Sequence, residues 1–182
     1  MTVYLIRHGR TPANDRHLYC GSTDLPLSEA GAEELKALRY RVGDARFYTS
    51  GMRRTEQTLA LIFGPVAHTV EPDLREMDFG GFEMRGYPEL KDDPAYQAWL
   101  SGDNEANPTP GGESGAIMTR RAVAAYEKIA GEGRDAVIVT HGGVIAAIMA
   151  HLFPEAGRNR YQWQPRPGHG YAVTDGGWIS LP

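Results

Sequence analysis

Apolar and polar positions along the chain fall into blocks whose period changes from two to three or four. Val3, Leu5 and Ile6 make a short apolar run that stops at Arg7, His8 and Gly9, which predicts a strand over 3–7 broken by the glycine. LPLSEAGAEELKALRYRV predicts a helix capped by Ser28, with Leu35, Leu38 and Val42 as its apolar stripe. ARFYTS is a second short strand. MRRTEQTLALIFG is a helix stopped by Gly64 and Pro65, and VAHTVEP is a third strand. From Asp73 to Gly112 the chain is rich in glycine, proline and acidic residues, with one helix expected near 95–100. That length exceeds a plain connection, so a small lid-like insertion is expected around 80–112. GESGAIMTRRAVAAYEKIAGEG predicts a long helix capped near Glu113 and Ser114. AVIVT (136–140) has no polar interruption until its last residue, the sign of a central strand buried on both faces. GVIAAIMAHLF reads as a helix stopped by Pro154, and GYAVTDGGWISLP as a hairpin turning at Asp175 and Gly176. Strands alternating with helices predict an α/β fold. The expected form is a three-layer domain with a mostly parallel central sheet flanked by helices, and a ligand site at the carboxyl ends of the strands.

Bulk properties narrow this picture. The 182 residues suit one domain, 1–182. A net charge of −4 argues against a nucleic-acid binder with a broad basic surface, while leaving room for a local cationic pocket. No apolar run approaches the ~18 residues of a membrane span. Cys20 is the only cysteine, so no internal disulfide forms, as suits a reducing compartment. MTVYLIRHGR lacks the build of a signal peptide, and the expected location is the cytoplasm. There are no repeats or charge blocks, and nothing in the pattern sets an oligomeric state.

Two of the predicted strands end alike: 3–7 runs into His8 and Gly9, and 136–140 runs into His141, Gly142 and Gly143. If both strands are central and parallel, the two imidazoles meet at the mouth of the sheet. The plainer alternative is two separate buried histidines, each bonded to backbone. Arginines beside them favour the shared site: Arg7 adjoins His8, and Arg53 and Arg54 open the helix after the second strand. Guanidiniums and imidazoles gathered at one point need an anion. A phosphoryl group supplies it, bound bidentately by planar guanidinium and by helix N-termini after Gly9, Ser50 and Gly143. One of Arg53 and Arg54 is expected to lie on a solvated helix face. A histidine among phosphate ligands can attack phosphorus directly, and LREMDFGGFE supplies carboxylates at Glu76, Asp78 and Glu83 for the leaving group. Glu76 comes first after the strand. Repulsion from a phosphate dianion keeps such a carboxyl protonated and able to donate; the alternative is a structural ion pair between Glu76 and an arginine.

Taken together, RHGRTPAN, GSTDLPLSEAG, TSGMRRTEQT, LREMDFGGFE, PGGES and VIVTHGG resemble, in order and over nearly the whole chain, the histidine phosphatases of the phosphoglycerate mutase-like superfamily. The resemblance implies that His8 is the nucleophile that becomes phosphorylated. It assigns Arg7, Arg54 and His141 to the phosphoryl oxygens, choosing Arg54 because the family's arginine lies four residues after the serine. Glu76 is then proton donor and later general base. Asn14, Gly21, Ser22, Thr23 and the Gly142 amide bind substrate, and neither cofactor nor metal is implied. The wording departs from the family at Gly51 and at Phe82, Glu83 and Met84. Mutases of the family carry a longer insertion with paired arginines and a lysine, and a tyrosine where this chain has Phe79. Here the insertion has only Arg85 and Lys91 as cations. The expected activity is therefore hydrolysis of a small phosphate ester. The wording is most like the α-ribazole-phosphate phosphatase group, with α-ribazole 5′-phosphate as the implied substrate. The other functions weighed are a phosphoglycerate mutase-type transferase, a catalytically silent phosphate binder, and a metal site at His17 and Cys20. That H-x-x-C has no second ligand pair at zinc spacing.

Overall fold

The computed structural model describes all 182 residues. In chain order the elements are β1 (Thr2–Arg7), α1 (Pro12–Asp15), α2 (Glu29–Lys36), β2 (Arg46–Thr49), α3 (Arg53–Phe63), β3 (His68–Val70), α4 (Tyr87–Leu90), α5 (Pro94–Ser101), α6 (Gly115–Ala130), β4 (Ala136–Thr140), α7 (Gly142–Leu152), α8 (Arg160–Trp163), β5 (Gly170–Thr174) and β6 (Gly177–Leu181). The strands form one sheet in the order β3-β2-β4-β1-β5-β6. The first four are mutually parallel, and the hairpin β5–β6 joins antiparallel to β1, so the sheet is mixed but mostly parallel.

Alternation along the strands builds the three layers. Val3, Leu5 and Ile138 face one way, into a core completed by α6, α7 and Trp163 of α8. Ile6, Val137 and Val139 face the other way, against Leu59 and Ile62 of α3. All five residues of β4 are buried, as expected for a strand covered on both sides. Adjacent parallel strands β1 and β4 thus lead to helices on opposite faces. That arrangement opens a crevice at their carboxyl ends.

Ser28 caps α2 as expected, its hydroxyl accepting from the Gly31 amide. The helix nevertheless stops at Lys36, well short of Val42. Tertiary contacts compete for the rest: the Tyr40 hydroxyl donates to the carbonyls of Gly168 and Pro182, and Tyr40 and Val42 pack into the α3 face of the sheet. The insertion has a small core of its own, Phe82, Leu90 and Tyr96 packed with Tyr19, Phe79 and Trp99. Three four-residue helices, α1, α4 and α8, are too short to show a period and have no counterpart in the sequence pattern. α1 and α8 each carry a reciprocal capping box, Thr11 with Asn14 and Asn159 with Gln162.

Candidate active site

β1 and β4 pair in parallel with Arg7 opposite Thr140, so the next residues, His8 and His141, leave the sheet side by side. Their ring centroids are 5.1 Å apart. His8 Nδ1 lies 2.7 Å from the Gly9 carbonyl, which only accepts, so Nδ1 carries the hydrogen and Nε2 keeps its lone pair. Burial, reinforced by the charges of Arg54 and Arg7, holds the His8 pKa well below its ordinary value. Burial and Arg54 do the same to His141. Both imidazoles are therefore neutral at pH 7, and His8 presents a free nitrogen. A Cβ on Gly9 would strike the side chain of Leu35, so the glycine lets this turn pack against α2.

Arg54, in the first turn of α3, is fully buried. Its Nη1 donates to the Thr23 carbonyl (2.9 Å), its Nη2 to the Gly21 carbonyl (2.8 Å) and its Nε to His141 Nδ1 (3.3 Å). That last bond leaves the His141 hydrogen on Nε2, which donates to Ser50 Oγ at 2.8 Å; Ser50 in turn meets Thr55 Oγ1 at 3.1 Å. Arg53 is exposed, and only its backbone amide is engaged, by Asp24. Arg7 donates from Nη1 to the Pro165 carbonyl, while its Nε is buried without a partner. Burial lowers the Arg7 pKa and the nearby Glu76 charge raises it. A Cβ on Gly142 would come within 3.1 Å of the Arg7 guanidinium, so the glycine lets that cation lie against the first turn of α7. This helix begins at Gly142 with His141 as its N-cap, two residues earlier than a start after Gly143.

Glu76 is half-buried and forms no ion pair. Its Oε2 accepts from the Gly143 amide (2.9 Å) and its Oε1 from the Met77 amide (3.0 Å). Arg121 of α6 fixes the backbone around it, donating to the carbonyls of Asp73, Arg75 and Glu76 while paired with Glu113 at 2.7 Å. Nothing in the sequence marks Arg121 for this task. Glu83, one of the two other carboxylates of LREMDFGGFE, is a hub: it accepts from the amides of Gly21, Ser22, Thr23 and Phe79 and from the Thr23 hydroxyl. The amides of 21–23 are thus taken, and the loop offers carbonyls to Arg54 instead. Asn14 caps α1 through Oδ1, accepting from Thr11.

Arg7, His8, Arg54, Glu76, His141 and Gly142 come together, as expected. Two cavities meet at Glu76. One, of about 400 Å³, is polar, lined by Ser22, Asp24, Arg75, Asp78, Glu113 and Arg121 among others. The other, of about 230 Å³, has Tyr19, Phe79, Trp99 and Tyr161 in its walls. No group of three or more histidine, cysteine or acidic side chains has the arrangement of a metal site, His17 and Cys20 included. No helix is long and apolar enough to cross a membrane.

Known proteins are similar to this chain in sequence and in fold. The chain is 33% identical over 161 residues to the adenosylcobalamin/alpha-ribazole phosphatase of Salmonella typhimurium, covering 84% of this chain and 79% of that one. It is 32% identical to the metal-independent phosphoserine phosphatase of Arabidopsis thaliana, over 82% of this chain and 68% of that one. The crystal structure of the alpha-ribazole phosphatase from Shigella flexneri superposes with a TM-score of 0.85 at 26% identity, covering all of this chain and 95% of that one. Residues 3–174 match the histidine phosphatase superfamily, branch 1, and with its two paired imidazoles and buried Arg54 the chain belongs to that family of phosphatases.

Proposed function

We propose that the protein hydrolyses small phosphate monoesters through a phosphohistidine on His8, and that α-ribazole 5′-phosphate, the ester named in its relatives' activity, is the substrate to test first. The observation that carries the reading is the His8 tautomer: the Gly9 carbonyl holds the hydrogen on Nδ1, leaving Nε2 unprotonated among cations. The phosphoryl group binds with its oxygens toward Arg7 and Arg54, beside the His141 ring whose Nε2 hydrogen is held by Ser50, and with the first-turn amide of Gly142 as a further donor. The unpartnered Nε of Arg7 suits that task. Ser22 of the 21–23 loop lines the polar cavity at Glu76, while Asn14 holds the turn after His8 through Thr11.

In the first step Nε2 of His8 attacks phosphorus, a nitrogen–phosphorus bond forms, and the ester oxygen leaves with its electron pair. Glu76 gives that oxygen a proton, and the alcohol departs. In the second step the Glu76 carboxylate takes a proton from water as the water oxygen attacks phosphorus. The nitrogen–phosphorus bond breaks, His8 is restored, and phosphate is released. The fixed cations carry the charge of the transferring group.

Hydrolysis is favoured over transfer between two positions of an acidic substrate by the cleft beside Glu76. Asp24, Asp78 and Glu113 line it against Arg75 and Arg121, and Arg121 is already paired. The single unpaired thiol of Cys20 suits work in the cytoplasm. The test is rapid quench with labelled ester in the presence of chelator. Acid-labile, base-stable label on His8, absent in His8→Ala, is expected. Label on His141, or turnover within tenfold of wild type in His8→Ala, overturns the assignment.

A further inference from the structure

Glu76 stands where two cavities meet, and proton donation requires the departing oxygen to lie at its carboxyl. The alcohol half of the substrate therefore occupies one cavity or the other. We infer that it lies in the cavity walled by Tyr19, Phe79, Trp99 and Tyr161, and that this chamber selects esters whose alcohol carries an uncharged planar aromatic ring. The inference deepens the phosphatase reading above and rests on it.

Four observations support the chamber. Its inner walls are preorganised: Tyr19 packs on Phe79 at 5.0 Å and edge-on to Trp99 at 6.0 Å, and its hydroxyl is already bonded to Tyr96, so what remains toward the cavity is ring surface. Offset and edge-on contacts of this kind are how aromatic pairs gain beyond area burial. Met77 and Met118 add apolar, adaptable surface at the same cavity. Tyr161 is 78% exposed on the four-residue helix α8, a large ring whose face is left for a ligand to cover. Finally, Arg160 clasps Glu105 through two bonds of 2.9 Å and reaches Thr119 Oγ1 at 3.1 Å, tying α8 to the segment before α6 across the outer rim. The clasp neutralises Glu105 and fixes the neighbouring Tyr161. Arg160, the only cation at the chamber, is thereby occupied, so nothing there offers a partner to an anionic alcohol. A volume of about 230 Å³ suits one ring system. The rival cavity is poorly suited to such a group, since its lining is carboxylate and guanidinium.

The experiment compares kcat/KM for 2-phenylethyl phosphate and n-butyl phosphate, two primary-alcohol esters that differ in the ring and little in leaving-group chemistry. Wild type is expected to prefer the aromatic ester by about tenfold or more, and Trp99→Leu and Tyr161→Ala each to shrink that preference at least about fivefold. Because Tyr161 is exposed, its variant keeps the fold even if Trp99→Leu does not. A wild-type preference near one, or a preference kept in Tyr161→Ala, overturns the inference. Independently, the Trp99 indole N–H resonance in the His8→Ala protein is expected to shift on titration with 2-phenylethanol; an unmoved signal at saturating alcohol also overturns it. A shifted indole signal, together with a wild-type protein that never labels at His8, leaves the chamber standing and removes the phosphohistidine step.

Discussion

The guanidinium of Arg54 is sealed from solvent and gives three of its five N–H groups to two carbonyls and an imidazole, leaving one on each terminal nitrogen for a phosphoryl group, while Arg53 one position earlier points into water. A turn of ~100° per residue separates the two faces of α3. Arg54→Ala should lower kcat/KM by about 30- to 1000-fold, the effect of losing ~2–4 kcal/mol of bidentate charge stabilisation at the transferring group. Arg53→Ala should stay within about threefold of wild type, as exposed charges contribute little. Steady-state kinetics on both variants check the ranking, and Arg54→Lys should recover only a fraction, because an ammonium lacks the planar fork.

At the scale of elements, the first turn of α7 and the loop bearing Glu76 are fitted to one another. The Gly143 amide donates to the carboxyl, and a Cβ on Gly143 would overlap it. The group in the way is the end of a side chain, so Gly143→Ala displaces the acid and leaves the backbone in place. Alanine is also the better helix former by up to ~1 kcal/mol. The expected outcome is a variant at least as heat-stable as wild type that loses about 10²-fold or more in His8 phosphorylation by alkyl phosphates, and far less with 4-nitrophenyl phosphate, whose leaving group needs no proton. Single-turnover phosphorylation with both esters reads the difference. Equal losses would mean that the carboxyl is not the donor. Gly21 contrasts with this: its added Cβ would meet the backbone carbonyl of Met77, which cannot swing aside.

Across the whole molecule, two imidazoles held neutral in the interior couple folding to pH. Both histidines have pKa values well below that of the unfolded chain, so below about 6.5 the unfolded state binds protons that the folded state refuses. Stability is therefore full above that pH and falls as acid is added, down to the folded pKa values. Between pH 7 and 5.5 the two together should cost about 2–3 kcal/mol of unfolding free energy. Urea unfolding at the two pH values measures it, and His8→Gln should lose about half of the dependence. An unchanged midpoint would show that the histidines protonate in the folded protein.

The sequence by itself determined the strands that end in histidine, the alternation that makes an α/β sheet, the caps at Ser28 and Ser114, and the set Arg7, His8, Arg54, Glu76 and His141 proposed here for catalysis. These are legible because each rests on a local rule: side-chain period, a capping hydroxyl, a motif of fixed spacing. Only the tertiary structure decided that β4 lies beside β1, which brings His141 to within 5.1 Å of His8. It also ended α2 at Lys36, where Tyr40 found acceptors at Gly168 and Pro182. It made Glu83 the anchor of the 21–23 loop and Arg121 the clamp behind Glu76. It set an aromatic chamber against a charged cleft on the two sides of one carboxyl. A period reports which face of an element is apolar, whereas the partner of a carboxylate or a guanidinium lies tens of residues away. No local pattern encodes that distance until the chain closes on itself.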